Sequence, residues 1–187
     1  LWKELHNRGH NVSLFNRGKT SLRKCPRESD DDFEKRKSET TFITGDRKDV
    51  SDMTTKLSSS KYDVVYDLGG RESSDTEPLV DIFGDKVDHF VYMSSAGVYK
   101  KSLFYPHTEE SEVDYNSRHK GKLNTEEMLK ERGVPFTSIR PTYIYGPYNY
   151  NPIEEFFFER LDENRRICVC ISPSLPFPLL FLLHFLL

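Results

Sequence analysis

The sequence predicts an α/β fold built on a doubly wound parallel sheet, and two observations carry that prediction. The first is a regular alternation of strand-length apolar runs with one-sided helical segments, the pattern of parallel crossover units. The second is the stretch Asp88–Tyr99 (DHFVYMSSAGVY), in which the apolar run Phe90–Met93 ends abruptly at two serines. A strand that stops at small hydroxyl residues points polar groups out of a sheet edge, and in open α/β sheets that edge carries the ligand crevice.

From the N-terminus, Leu1–Arg8 place Leu1, Trp2 and Leu5 on one helical face, and Gly9-His10 supplies a stop. Asn11–Phe15 (NVSLF) reads as a strand ending in Asn16-Arg17-Gly18. Thr20–Glu39 contains SDDDFEKRKSE, whose acidic-then-basic order suits the dipole of a short solvated helix. Thr40–Thr44 is the next strand, and Asp46 after it is expected to cap the helix that follows. Tyr62–Leu68 (YDVVYDL) reads as a buried strand ending in Gly69-Gly70. Glycines there either make the turn or let the backbone approach a bound nucleotide. A helix over Ser73–Phe83 leads to the serine strand. Beyond it, RHKGKLNTE (Arg118–Glu126) reads as a helix, and SIRPTYIYGP (Ser138–Pro147) as a strand running into a Pro/Gly turn.

Composition sets modest bounds. At 187 residues, 36% hydrophobic and 30% charged, the chain suits one globular domain with a single core. A net charge of −3 gives no overall basic signal, so a nucleic-acid site would have to be a local patch. Cys25, Cys168 and Cys170 make no disulfide framework and suggest a reducing compartment, and the Cys168/Cys170 pair lacks the further ligands of a zinc site. Asp30, Asp31 and Asp32 are adjacent, so on a helix they diverge, and no metal site is expected. No signal or transit peptide is visible at Leu1. At the other end, residues 167–187 carry no Lys, Arg, Asp or Glu, but Pro173, Pro176 and Pro178 interrupt the run. A membrane span is therefore not expected. The chain divides into residues 1–166, a partial dinucleotide-binding domain, and an apolar tail, 167–187, whose expected origin is a frame change or retained intron.

Serine strand, lysine helix and Arg-Pro strand, in that order, resemble the extended short-chain dehydrogenase/reductase superfamily, the NAD(P)-dependent epimerases and dehydratases. The resemblance implies a Rossmann-like domain lacking its first strand and Gly-rich loop, because the chain opens inside the helix that would follow them. In the strand order 3-2-1-4-5-6 that strand is central, so its neighbours should border an unfilled gap. An unstable isolated chain without tight dinucleotide binding is the expectation. In the family, NADP or NAD would meet Arg17, Asp46, Leu68, Gly69, Gly70, Lys122 and Pro141, with Asp46 at the adenine. Arg17 is either a contact for a 2′-phosphate, favouring NADP, or a solvated turn residue. The family's catalytic serine falls on Ser95 and its lysine on Lys122. Its tyrosine, four residues before the lysine and on the same helix face, falls on Arg118. Arginine stays protonated and cannot act as a phenol does, and Tyr115 lies about 10 Å further along a helix.

The strings LFNRGK, GDRKD, YDLGGRE, SSAGVY, RHKGKL and RPTYIYGPYNYNP resemble, over Leu1–Ile167, the chloroplast stem-loop-binding proteins of the b type, atypical members of that superfamily. This resemblance implies a plastid RNA-binding protein, with ribosomes or the plastid transcription machinery as partners and assembly with like or related subunits. The alternatives are a sugar-nucleotide epimerase or reductase using Ser95 and Lys122, and an RNA endonuclease. The residues themselves offer an RNA patch: Lys100, Lys101, Arg118, His119, Lys120 and Lys122, interleaved with Tyr99, Tyr105, His107 and Tyr115. Cations bind phosphates and rings stack on unpaired bases, whereas a solvated helix face with packed tyrosines would look the same. Tyr143, Tyr145, Tyr148 and Tyr150 read either as stacking platforms or as strand-end packing around the Pro141 and Pro147 turns, and packing is the expectation.

Overall fold

The computed structural model describes residues 1–25, 27–103, 106–146, 149 and 153–167. Tyr105, Pro147, Tyr148, Tyr150, Cys168, Cys170 and nearly all of the apolar tail lie outside the described residues. The chain forms two compact units, Leu1–Ile144 and Tyr145–Leu187.

In the first unit strands and helices alternate as predicted. The order is α1 (Trp2–Asn7), β1 (Ser13–Asn16), α2 (Asp30–Ser38), β2 (Thr41–Thr44), α3 (Val50–Leu57), β3 (Val64–Asp67), α4 (Ser73–Phe83) and β4 (His89–Met93). A 3-10 turn (Ala96–Val98), α5 (Lys120–Glu131) and β5 (Phe136–Ile139) complete it. Every strand pair is parallel. The strands form two sheets, β1-β2 and β3-β4-β5, and no ladder joins β1 to β3. The gap expected beside these strands is present in the topology.

Local signals explain most helix starts. Ser29 caps α2 by accepting from Asp32 N–H, with Asp30–Asp32 in the first turn and Lys35–Lys37 in the last. A reciprocal capping box between Glu72 and Asp75 opens α4. Two expectations are corrected. Asp49, not Asp46, caps α3 by accepting from Asp52 N–H at 3.0 Å, while Asp46 Oδ1 accepts from Lys48 N–H within its own loop. Helix α5 begins at Lys120 behind His119, so Arg118 stands in the preceding turn and does not share a helix face with Lys122.

The register lines up one apolar row, Phe15 beside Ile43 in one sheet and Val65, Phe90 and Phe136 in the other. Over it lie Met53 and Leu57 of α3 with Ile82 and Phe83 of α4, and beside these Val80 of α4 and Leu129 of α5 pack on Phe90 and Tyr92. Both clusters include Val65 and Leu79, so one helix layer spans both sheets. On the opposite face Val64, Tyr66 and Leu68 remain exposed.

In the second unit α6 (Glu155–Asp162) carries Phe156 edge-on to Phe157 and the Arg160 guanidinium over Phe156. Gly146 N–H donates to Glu154 Oε1 at 2.9 Å. Among the described residues no helix is long and apolar enough to cross a membrane.

Phe90 is fully buried, whereas Phe42 is 40% exposed. Phe90→Ala should therefore cost about 3–5 kcal/mol in denaturant unfolding, and Phe42→Ala no more than about 1 kcal/mol.

Candidate functional site

Because the strands are parallel, their carboxyl ends gather on one edge. Arg17-Gly18 follow β1, Gly45–Lys48 follow β2, Leu68–Arg71 follow β3 from its last residue Asp67, Ser94–Gly97 follow β4, and Arg140-Pro141 follow β5. Arg47 and Asp67 tie the two sheets together there. Nη1 donates to Oδ1 and Nη2 to Oδ2, each at 3.0 Å, and Nη2 also reaches the Asp75 carbonyl at 2.8 Å.

Asp67 is buried and collects further donors from the Gly69 and Gly70 N–H groups at 3.1 and 2.9 Å and from Thr76 Oγ1 at 2.7 Å. Burial alone would push its carboxyl up, but the Arg47 pair and these hydrogen bonds outweigh that and hold it below the usual range. Asp75 behaves alike. Burial opposes its charge, yet Lys48 and the N–H groups of Arg71 and Glu72 bring it from 3.8 down to about 2.

The two glycines at this turn have a steric reason to be there. A Cβ on Gly69 would meet the Arg47 guanidinium at 2.7 Å, and one on Gly70 would meet Thr76 Oγ1 at 2.3 Å and Asp67 Oδ2 at 2.6 Å. Their N–H groups are already engaged by Asp67. Leu68 beside them is half exposed.

The Gly70 carbonyl is held from the other side. Lys122 Nζ donates to it and to the Met93 carbonyl, both at 2.6 Å, and Tyr92 Oη donates to it at 3.2 Å. Lys122 thus bridges the ends of β3 and β4 and lies over the Tyr92 ring, and burial pushes its ammonium down from the ordinary lysine value. Burial pushes the Tyr92 hydroxyl up to about 12, so this phenol stays protonated at neutral pH.

Ser95 caps the 3-10 turn, its Oγ accepting from Gly97 N–H at 3.1 Å. The Pro141 carbonyl accepts from Ala96 N–H at 2.9 Å, fastening that turn to the end of β5. The structure brings Arg118 and His119 to the same turn. Ser117 Oγ donates to the Gly97 carbonyl at 2.6 Å, and the His119 ring packs so closely on Gly97 that a Cβ there would lie 2.4 Å from it. Arg118 Nε donates to His119 Nε2 at 3.0 Å.

The predicted patch is therefore split. Lys122 points inward, and Lys100 pairs with Glu112 at 2.8 Å, while Lys101, Arg118 and Lys120 are exposed. Tyr115 Oη donates to Glu127, and Tyr99 stacks on His107. Arg17 and Asp46 stand at the ends of β1 and β2, with Arg17 exposed. The packing expected of Tyr143 and Tyr145 is not found; they are 75% and 76% exposed.

Sequence reasoning missed Arg47, Asp67, Asp75 and Thr76, and also Glu126. Glu126 is buried and accepts from Ser138 Oγ at 2.8 Å and Arg140 Nε at 3.0 Å. A carboxylate at a strand end before two glycines was the available signal for Asp67. Among the described residues no cluster of side chains could hold a metal ion.

A family model described as NAD(P)H-binding matches residues 1–152. The chain belongs to this NAD(P)H-binding family. It is 51% identical, over 170 residues and 90% of its length, to the "Chloroplast stem-loop binding protein of 41 kDa b, chloroplastic" of Arabidopsis thaliana, and spans 45% of that relative. Among solved structures it is similar to Pal from Bacillus thuringiensis, with a TM-score of 0.65, 19% identity, and coverage of 86% of this chain and 59% of that one. The Bordetella bronchiseptica enzyme WbmH in complex with NAD+ gives a TM-score of 0.59 at 20% identity, covering 88% and 58%. These structures share the Rossmann-like fold of the NAD(P)H-binding family. The chain thus spans about half the length of the relatives it matches.

Two outcomes follow from the charges. Arg47→Met leaves Asp67 buried without its cation and should cost roughly 3 kcal/mol or more in urea melts. Asp75 has a folded pKa below its unfolded value, so its contribution is complete above about pH 4 and is lost as pH falls toward 2. Unfolding midpoints measured from pH 5 to 2 should fall less steeply in Asp75→Asn than in the parent chain.

Proposed function

We propose that this protein binds structured RNA in the chloroplast on a dehydrogenase-like scaffold, using the carboxyl edge of its sheets. The observation that carries the reading is the fate of the family's proton-transfer pair. Arg118 occupies the tyrosine position, and Lys122 is committed to the Gly70 and Met93 carbonyls. Tyr92, the phenol beside Lys122, is fully buried and protonated. Proton transfer to a substrate needs an exposed acid of suitable pKa, and this pair supplies none.

Lys101, Arg118 and Lys120 are instead exposed cations suited to phosphate oxygens. The printed name of the Arabidopsis thaliana relative supports both stem-loop RNA as ligand and the chloroplast as location. Ribosomes or the plastid transcription machinery would bring the RNA, and like or related subunits would complete the assembly.

The family also supports an NAD(P) reading. Arg17, exposed at the end of β1, fits a 2′-phosphate, and Asp46 lies at the neighbouring strand end. The Gly69 and Gly70 N–H groups are spent on Asp67, so a pyrophosphate at that turn would rest on side-chain cations. A bound dinucleotide would supply hydride chemistry, for which Ser95 remains as an orienting hydroxyl and Lys122 as a buried support.

The test is binding of a labelled stem-loop RNA across a salt series, with NADPH as competitor. Replacing Lys101, Arg118 and Lys120 together by alanine should weaken binding and reduce the slope of log affinity against log salt by about 2–3. Unchanged affinity and slope would remove these residues from the interface. Absence of salt-sensitive RNA binding, with sugar-nucleotide turnover abolished by Lys122→Ala, would return the protein to the epimerase class.

A further inference from the structure

The excursion between the 3-10 turn and α5 encloses a recess that phosphate binding alone does not use. Tyr99 bridges antiparallel to Val113, Lys100 N–H donates to the Glu112 carbonyl at 2.9 Å, and Asp114 N–H donates to the Val98 carbonyl at 2.7 Å. The two arms so closed surround a cavity of about 240 Å³ lined by Lys100, Lys101, Ser102, His107, Ser111 and Glu112. That is below the roughly 300–1,000 Å³ of pockets for drug-sized ligands, so it suits one ring system and not a dinucleotide.

One wall is flat. The His107 imidazole lies parallel to Tyr99, 5.0 Å between centroids and 1° between planes, and Tyr99 lies against the Arg140 guanidinium at 4.8 Å. Arg140 is fixed in turn by buried Glu126. At the rim, Lys100 holds the Glu112 carboxyl below its usual range, so Glu112 is an ionised acceptor at neutral pH, and Lys101 is exposed with no carboxylate partner among the described residues.

We propose that this recess takes a single unpaired guanine base of the RNA, stacked against His107, with its Watson–Crick edge on Glu112 and its flanking phosphate on Lys101. The inference rests on the RNA reading above and adds a base-specific contact to it. A carboxylate only accepts hydrogen bonds, and it has lone pairs enough to keep Lys100 while receiving two more donors. Guanine alone presents two adjacent donors, N1–H and the 2-amino group, on that edge. Adenine and cytosine place an acceptor beside their amino group, and uracil flanks its single N–H with carbonyls. Unpaired bases splayed from RNA loops are read in this manner, by stacking on a ring and hydrogen bonding at the exposed edge.

The experiment uses the intact protein and stem-loop RNAs that differ only in one loop base, guanine, hypoxanthine (the base of inosine, which lacks the 2-amino group) or adenine, measured at fixed salt. Binding should fall in that order, with guanine preferred to adenine by roughly tenfold. Glu112→Gln, at a side chain exposed enough to be replaced without unfolding, should erase the preference for guanine over adenine while leaving the circular dichroism of the protein unchanged. His107→Ala should weaken all three RNAs together. Equal binding of guanine and adenine loops, or a preference that survives Glu112→Gln, overturns this inference and leaves the RNA reading standing. Absence of salt-sensitive binding to every stem-loop overturns the RNA reading itself.

Discussion

The first unit is organised by one buried carboxylate, that of Asp67 at the end of β3. An ionised group in that position is costly unless its oxygens are saturated, and they are, by Arg47 from the end of β2, Thr76 from α4 and the two glycine amides of its own turn. Saturating Asp67 fixes the Gly69-Gly70 turn, which presents the Gly70 carbonyl inward. That carbonyl receives Lys122 from α5 and Tyr92 from β4. A single charge therefore determines how the ends of three strands and the starts of two helices meet. Such a network adds less to net stability than to the choice of one arrangement, because each partner removed leaves another polar group unpaired.

The same network bears on what the edge can do. Groups that would serve catalysis or a phosphate cradle, the Lys122 ammonium and the glycine amides, are used to build the edge. Exposed cations such as Arg17, Lys101 and Arg118 on turns, and Lys120 at the first position of α5, stand outside the network, and changing them disturbs no buried bond. On the RNA reading this is the expected separation: a stiff polar frame inside and replaceable phosphate contacts outside. Ser95 is intermediate, for its Oγ already accepts from Gly97 N–H but its own proton remains free to donate.

What the sequence revealed, and what it concealed, divides by range. Helix α4 was legible over its whole length, since an acidic capping pair and apolar spacing are local signals. The parallel sheet was legible from alternation alone. The start of α5 was not, because Arg118-His119 have helical neighbours but are held in a turn by contacts with Gly97, some twenty residues away. Asp46 and Asp49 are equally good caps on paper, and the choice falls to Asp49 once the Asp46 carboxylate closes on Lys48 N–H. The Arg47–Asp67 pair joins residues that no local period relates, so only the folded chain shows it. Tyr143 and Tyr145 follow the same rule in reverse: their spacing suggested packing, yet both are largely exposed.

The break between β1-β2 and β3-β4-β5 gives the network its further importance. With no ladder across it, the two sheets are joined through side chains, by the shared helix layer over Phe15 and Val65 and by the Arg47–Asp67 pair. Side-chain contacts, and not a hydrogen-bonded ladder, therefore carry the connection between the two sheets. Arg17 stands on one side of that break and Lys101, Arg118 and Lys120 on the other. On the RNA reading, a polyanion that reaches both would contact the edge on each side of the Arg47–Asp67 pair.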